Sequence, residues 1–279
     1  KDFLYQVLYF DKKIVLLRRQ LMLLVIDVGN TNTVAGIYDG KKLIDNWRFS
    51  SDRSKTADEF GMFMTSMLGF AGLKKEQVTD IIISSVVPPV LVPLCHMCER
   101  YFNIKPLIVG QGLKIGLQLR YENPKEIGAD RIVNAVAAYD KYAHLKKPMI
   151  IIDFGTATTF CALLPGGEYL GGAICPGIGI SSEALFQRTA KLPRIELIPP
   201  KKSICGNTVE AMRAGIMFGY YGLIKEIVAR MKDELGGDAL VIATGGFGNT
   251  MAQGTDCIDE VDPMLTLEGL RIIFEKNKK

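Results

Sequence analysis

One pattern occurs twice in this chain, and it constrains the fold more than any other feature. Leu23-Leu24-Val25-Ile26 is an apolar run that ends in Asp27, followed by Val28-Gly29-Asn30-Thr31-Asn32-Thr33. The run reads as a buried strand, and the acid, glycine and small polar residues read as a tight turn. Such a strand delivers a carboxylate into a turn rich in backbone N–H groups, which is the outline of a site for phosphate and metal. The same pattern returns 126 positions later, without a gap, as Met149-Ile150-Ile151-Ile152-Asp153-Phe154-Gly155-Thr156-Ala157-Thr158-Thr159. Asp27 falls on Asp153, Gly29 on Gly155, Thr33 on Thr159 and Gly40 on Gly166. Each copy continues as a second apolar strand, Val34 to Tyr38 and Phe160 to Leu164, so each predicts a hairpin with the acid at its tip. A repeat of so long a period implies two related domains rather than a solenoid. Two such tips facing one another would grip a polyphosphate from both sides.

Composition narrows the class. The 279 residues suit one large or two medium domains, and the net charge of +4 is too small to argue for a nucleic-acid partner. No apolar run reaches the ~20 residues a membrane helix requires, so no membrane partner is expected and a cytoplasmic enzyme is. The six cysteines are scattered, and Cys95-His96-Met97-Cys98 lacks a second ligand pair, so structural thiols are expected there. Neither GxxxxGK[ST] nor GxGxxG after the first strand occurs, which excludes a P-loop and a dinucleotide-binding fingerprint. The paired acid-bearing turns and Thr244-Gly245-Gly246, after the strand Ala239 to Ala243, remain as the nucleotide-binding candidates.

Residues 1–21 fit this scheme poorly. They carry Lys12-Lys13 and Arg18-Arg19 among apolar residues, and Met22 stands directly before the first strand. They are expected to be an N-terminal extension outside the fold, the other reading being an extra strand or helix at a domain edge. The first domain is expected over residues 22–147. Thr56 and Glu59 have capping-box spacing before a helix, and Asp80 to Val87 reads as a buried strand. Lys105 to Val109 reads as a short strand, and residues 116–124 as an irregular loop containing Tyr121. Gly128-Ala129-Asp130-Arg131 opens a helix through about His144. The second domain is expected over residues 148–279, with a Gly/Pro-rich loop at 171–179. A long helix follows from Asn207 or Thr208 to about Leu235. Its Gly215, Gly219 and Gly222 share one face and predict close approach of another backbone, as from a helix across a dimer interface.

Asp130 in a first helical turn is favoured by the helix dipole, which is the plain structural reading. The functional one is a base that takes a hydroxyl proton during phosphoryl transfer, with Arg131 neutralising phosphoryl oxygens or a substrate carboxylate.

The runs Asp27-Val28-Gly29-Asn30-Thr31, Gly128-Ala129-Asp130-Arg131, Asp153-Phe154-Gly155-Thr156-Ala157, Gly206-Asn207-Thr208-Val209-Glu210 and Thr244-Gly245-Gly246 resemble, in order and spacing, those of type III pantothenate kinases. That family belongs to the acetate/sugar kinase–Hsp70–actin superfamily, and the resemblance covers the chain from Met22 onward. It implies an α/β fold of two ribonuclease-H-like (actin-like ATPase) domains related by internal duplication. It also implies ATP-dependent phosphorylation of pantothenate, the entry step to coenzyme A. By the resemblance, Asp27, Val28, Gly29, Asn30, Thr31, Asn32, Thr33 and Val34 form the phosphate loop, with Asp27 near magnesium, and Thr156 touches ATP. Asp130 is then the general base, and Tyr121, Gly128, Ala129, Asp130, Arg131 and Thr208 line the pantothenate pocket. Asp153 would hold a monovalent cation, K+ or NH4+, and a homodimer is implied. A catalytically idle regulatory relative, or another small-molecule kinase or polyphosphate hydrolase of the superfamily, are the alternative readings.

Overall fold

A computed structural model describes residues 22–110 and 112–278; the expected extension at 1–21 lies outside them. The chain divides into two compact units, the first ending at Val109 and the second beginning at Gly110. The repeat period placed the boundary at 147/148 instead. The difference is the helix at 129–142, which packs with the second unit.

In the first unit, β1 (Met22–Val28), β2 (Asn32–Asp39) and β3 (Lys42–Ser50) form an antiparallel meander. β4 (Val78–Ser85) then pairs parallel to β1, and β5 (Leu107–Ile108) parallel to β4, giving the order β3-β2-β1-β4-β5. Met22, Leu24, Ile26 and Val28 alternate onto one face. There they meet α1 (Ala57–Phe70) through Phe60, Met64 and Leu68, and α2 (Pro88–Met97) through Val90, Leu94 and Met97. The predicted capping box is present: Glu59 N donates to Thr56 Oγ1 at 3.3 Å, and Thr56 N donates to Glu59 Oε2 at 2.7 Å. Cys95 lies within α2 and Cys98 just past it, buried, its thiol pushed up to about 12 chiefly by that burial.

The second unit repeats the scheme. β7 (Met149–Phe154), β8 (Ala157–Leu163) and β9 (Glu168–Pro176) form the meander; β10 (Leu240–Gly245) pairs parallel to β7, and β11 (Glu260–Val261) parallel to β10. The order β9-β8-β7-β10-β11 is that of the first sheet, so the two expected ribonuclease-H-like cores stand in the backbone topology itself. A short β6 (Gln118–Leu119) adds to the outer edge of β9. The segment 116–124, predicted to be irregular, is therefore partly a strand. Residues 168–176, with the predicted loop's first glycines, are also a strand. Gly172, opposite Cys161, accounts for this: a Cβ there would lie 1.7 Å from Phe160 O, so only glycine lets the strands approach.

Both faces of this sheet are covered. Ile151 and Met149 face α3 (Ala129–Tyr142) and α7 (Leu265–Asn277), through Ala135, Ala138 and Leu265. Ile150 and Ile152 face the other way, onto α5 (Thr208–Glu234), α4 (Ile178–Arg188) and α6 (Gly248–Gly254), through Met217, Ile224, Ile178 and Met251. Asn207 caps α5, its Oδ1 accepting from Glu210 N at 3.0 Å. Among the described residues, no helix is long and apolar enough to cross a membrane.

The repeat is not ungapped in three dimensions. Val28 pairs with Thr33, whereas Phe154 pairs with Thr158. The β7–β8 turn is thus one residue tighter, and the counterpart of Thr33 is Thr158 rather than Thr159. Burial agrees, because Thr33 and Thr158 are both buried.

α3 is seated on α7 at Gly269, where a Cβ would come 2.1 Å from Val133 O. Gly269→Ala must push the two helices apart. It is expected to cost about 1–3 kcal/mol, as overpacking does, and urea unfolding of the variant measures it.

Candidate active site

In the first unit, Asp27 is the penultimate residue of β1, beside Val34 of β2 and Ser84 of β4. The turn after it is closed by Gly29 N donating to Asn32 O at 3.1 Å, and a Cβ at Gly29 would sit 3.0 Å from that same oxygen. Asn30, Thr31 and Asn32 are exposed. Thr33 is buried and its hydroxyl is 2.8 Å from Ser51 Oγ, while Ser51 N donates to Thr31 O at 2.9 Å. The loop is therefore held from behind by the end of β3. Val28, Thr33 and Val34 can present only backbone to a ligand, whereas Asn30, Thr31 and Asn32 can present both backbone and side chain.

In the second unit the chemistry gathers on the first turns of α3. Gly128 is the N-cap and supplies no side chain. Asp130 takes the capping role, its Oδ1 accepting from Arg131 N at 2.8 Å. Burial raises the Asp130 carboxyl above the ordinary carboxylate range, against the opposing pull of the Arg131 N–H and charge.

Arg131 is 5% exposed. Its Nε donates to Cys161 Sγ on β8 at 3.3 Å, and its Cζ lies 5.8 Å from the Tyr169 ring and 6.0 Å from the Tyr121 ring. Its Nη2 is buried and has no hydrogen-bond partner among the described residues. The chain holds an internal contrast in Arg271, 3% exposed, which has Glu268 at 2.5 Å and Glu275 at 2.6 Å. Arg131 carries the same charge at the same depth with a thiol in place of the carboxylates. A buried guanidinium left in that state costs several kcal/mol, and an anion bound beside it would offset that cost.

One turn along α3, Asn134 is 2% exposed and donates from Nδ2 to Asp153 Oδ2 at 2.9 Å. Thr266 Oγ1 donates to Asn134 Oδ1 at 2.7 Å, which fixes the orientation of the amide. On the other side of Asp153, Gly245 has φ +86°, and a Cβ there would come 2.6 Å from Asp153 Oδ1. Gly155 lies nearby, its would-be Cβ 3.7 Å from the same oxygen. The strand-ending Thr244-Gly245-Gly246 is thereby explained: it lets backbone close on the carboxylate. This cradle of carboxylate oxygen and glycine backbone suits a cation.

Of the residues singled out from sequence, α3 therefore unites Gly128, Ala129, Asp130 and Arg131, reaches Tyr121 by ring contact, and reaches Asp153 through Asn134. Thr156 is in the β7–β8 turn, where its carbonyl accepts from Gly177 N at 3.0 Å. Thr208 opens α5 and is exposed, beside a cavity of about 400 Å³ that Asn207, Glu210 and Arg213 help to line. Sequence reasoning missed Asn134, Cys161 and Tyr169. The i, i+4 spacing of Asp130 and Asn134 was a usable signal for the first. Nothing marked the other two.

Residues 23–230, well over half of the chain, match the type III pantothenate kinase family. The chain belongs to that family. It is a kinase that uses ATP and a divalent metal to phosphorylate pantothenate, at the start of coenzyme A biosynthesis. Among solved structures it is similar to a protein of Campylobacter jejuni described as a Baf family transcriptional activator, at 20% identity and TM-score 0.56, covering 91% of this chain and 98% of that one. It is also similar to the ethanolamine utilization protein EutJ of Carboxydothermus hydrogenoformans, at 12% identity and TM-score 0.50, covering 95% and 98%. At those identities the two likenesses speak to the fold alone.

The Asp130 environment has a consequence for stability. Its folded pKa lies above the unfolded one, so below both values the group contributes nothing to the difference. As pH rises between them, the unfolded chain releases a proton that the folded one retains, and stability falls. Above both, the penalty is complete. Asp130→Asn removes it, so the variant is expected to melt at higher temperature than wild type at pH 7 but not at pH 3, as read by calorimetry across that range.

Proposed function

We propose that this pantothenate kinase binds the carboxylate of its acceptor at Arg131 and activates the acceptor hydroxyl with Asp130. The observation that carries the reading is the buried, unneutralised Arg131 guanidinium one residue from a half-buried carboxyl. A carboxylate-bearing alcohol satisfies both groups: its negative end supplies the missing partner of Nη2, and its hydroxyl end needs a base. Burial supports the role of Asp130, because a carboxyl raised toward neutral pH accepts a proton more readily than an ordinary one. Gly128 and Ala129, in the same turn, present backbone rather than bulk to the acceptor. Tyr121 and Tyr169 give the pocket aromatic walls that exclude water from the charge pair, and Thr208 is assigned to the same substrate.

Bound ATP supplies the phosphoryl group, and magnesium supplies positive charge against its oxygens. Within the chain, residues 27–34 are assigned to the phosphates and Asp27 to magnesium through water. Among the described residues no three His, Cys, Asp or Glu gather in one group, which suits an ion that keeps its waters and takes few carboxylates. Asp153 is assigned a potassium or ammonium ion, with Asn134 orienting the carboxylate, and Thr156 is assigned to ATP. The enzyme is proposed to act as a cytoplasmic homodimer. Gly215, Gly219 and Gly222 support this: an added Cβ at any of them meets nothing within 4 Å, and Phe218 beside them is 38% exposed. Among the described residues, these glycines find no neighbour for the close approach they allow.

ADP release measured with and without pantothenate is the first test, and release independent of pantothenate would defeat the assignment. Asp130→Asn should lower kcat by about 10²- to 10⁴-fold while ATP still binds. Arg131→Leu removes a charge-assisted hydrogen bond worth about 1.5–3 kcal/mol, so KM for pantothenate should rise roughly 10- to 100-fold. Asp153→Ala should abolish activation by potassium, and an unchanged potassium response would remove its role.

A further inference from the structure

Arg131 is a long side chain, and nothing in its own helix turn fixes the direction of its guanidinium. What fixes it lies on the sheet. Cys161, on β8, is buried and accepts at Sγ from two donors, Arg131 Nε and the Tyr169 hydroxyl, each at 3.3 Å. Tyr169 is itself buried, on β9, and its ring stands 6.4 Å from that of Tyr121. Gly171, at φ +115°, makes room for Tyr121, since a Cβ there would come 3.1 Å from the ring. The guanidinium is thus tied at one nitrogen to a sulfur that is itself tied to the next strand.

We infer that Cys161, braced by Tyr169, is a positioning residue that aims the Arg131 guanidinium at the carboxylate of pantothenate without neutralising it; the inference rests on Arg131 being the carboxylate receptor.

The choice of atom is what gives this content. A carboxylate at position 161 would hold the guanidinium as firmly, but it would also be its counter-ion, as Glu268 and Glu275 are for Arg271. A substrate carboxylate would then have to displace it or bind to a charge already spent. A thiol sulfur is a weak acceptor. It takes one N–H and leaves the Nη end with its charge for the incoming anion, and Nη2 is the nitrogen found without a partner. Burial disfavours the Arg131 charge, and Cys161, Tyr169 and Tyr121 together outweigh it. A guanidinium already oriented loses less freedom when substrate arrives, and that advantage belongs to binding rather than to the chemical step.

The test compares the purified full chain with Cys161→Ala, Cys161→Ser and Arg131→Leu, with pantothenate and ATP each varied. Cys161→Ala leaves Arg131 free to swing. It is expected to raise KM for pantothenate about 5- to 10-fold, with kcat and KM for ATP within about twofold of wild type. Cys161→Ser restores an acceptor at the same place and should recover most of that loss. A Cys161→Ala enzyme with unchanged KM for pantothenate, beside an Arg131→Leu enzyme that has lost affinity, overturns the positioning role and leaves the receptor role intact. If Arg131→Leu itself leaves KM unmoved, the receptor reading fails, and the positioning role with it. Equal rises in both KM values with a fall in kcat, or no recovery in Cys161→Ser, would mark Cys161 as packing only and also overturn the inference.

Discussion

The central strand of each sheet is apolar and buried except at its penultimate residue, which is a carboxylate. The candidate site of the second unit is built on that arrangement. In β7, Met149 to Ile152 are all buried, alternate residues against α3 and α5, and each such side chain is worth about 1.5–3 kcal/mol. That burial can sustain an acid at the strand end where it would otherwise be costly to desolvate. β7 is also where the sheet changes character, antiparallel to β8 on one side and parallel to β10 on the other. The carboxyl ends of strands at such a switch are where open α/β sheets bind ligands. β1 does the same in the first unit, between β2 and β4.

On this base the second unit builds its polar site by placing one helix over the sheet. α3 carries a raised carboxyl, an unneutralised guanidinium and an amide committed to Asp153, all within its first two turns. The first two are not stabilising features. The Asp130 carboxylate is penalised by burial, and Arg131 has an orphaned donor. Stability is supplied elsewhere, by the apolar face of α3 against β7 and β8 and by the close seat on α7 at Gly269. Arg271, one turn of α7 from nothing catalytic, shows what the same side chain does when structure alone is at stake: it is paired twice. The two arginines differ in their counter-ions: Arg271 has two carboxylates beside it, and Arg131 has a thiol.

Much of this was legible beforehand, and the reasons differ by element. Strands ending in Asp27 and Asp153 were readable because a buried central strand is apolar without interruption. The start of α1 was readable because a capping box needs two particular residues at a fixed spacing, and Asn207 announced α5 in the same way. The edge was not readable. β6 is two residues long, and its pairing with β9 leaves no periodic trace. Gly171 and Gly172 were assigned to a loop because glycine more often marks turns, whereas here it marks a strand approached too closely for any Cβ. The Cys161–Tyr169 pair was invisible for a deeper reason. Both look like ordinary core residues on a strand, and only the arrival of Arg131 from another element gives their polar atoms a task.

The one-residue difference between the two tips shows how a duplicated scaffold acquires separate functions. Thr33 and Thr158 occupy equivalent buried places, yet their hydroxyls are tied differently. Thr33 meets Ser51, from the end of the adjoining β3, so the first tip is braced within its own meander. Thr158 lies 2.5 Å from the hydroxyl of Tyr220, which also donates to Pro176 O at 2.9 Å. The second tip is therefore anchored to the middle of α5, beside the glycine-lined face. A shift of α5 would have to carry Tyr220 with it, and through Thr158 the turn that follows Asp153. A contact made on that helix by a second copy of the chain would thus reach Asp153 through the Tyr220–Thr158 hydrogen bond and one short turn. In the first unit the described residues show no comparable lever, because the brace and the loop belong to one continuous meander.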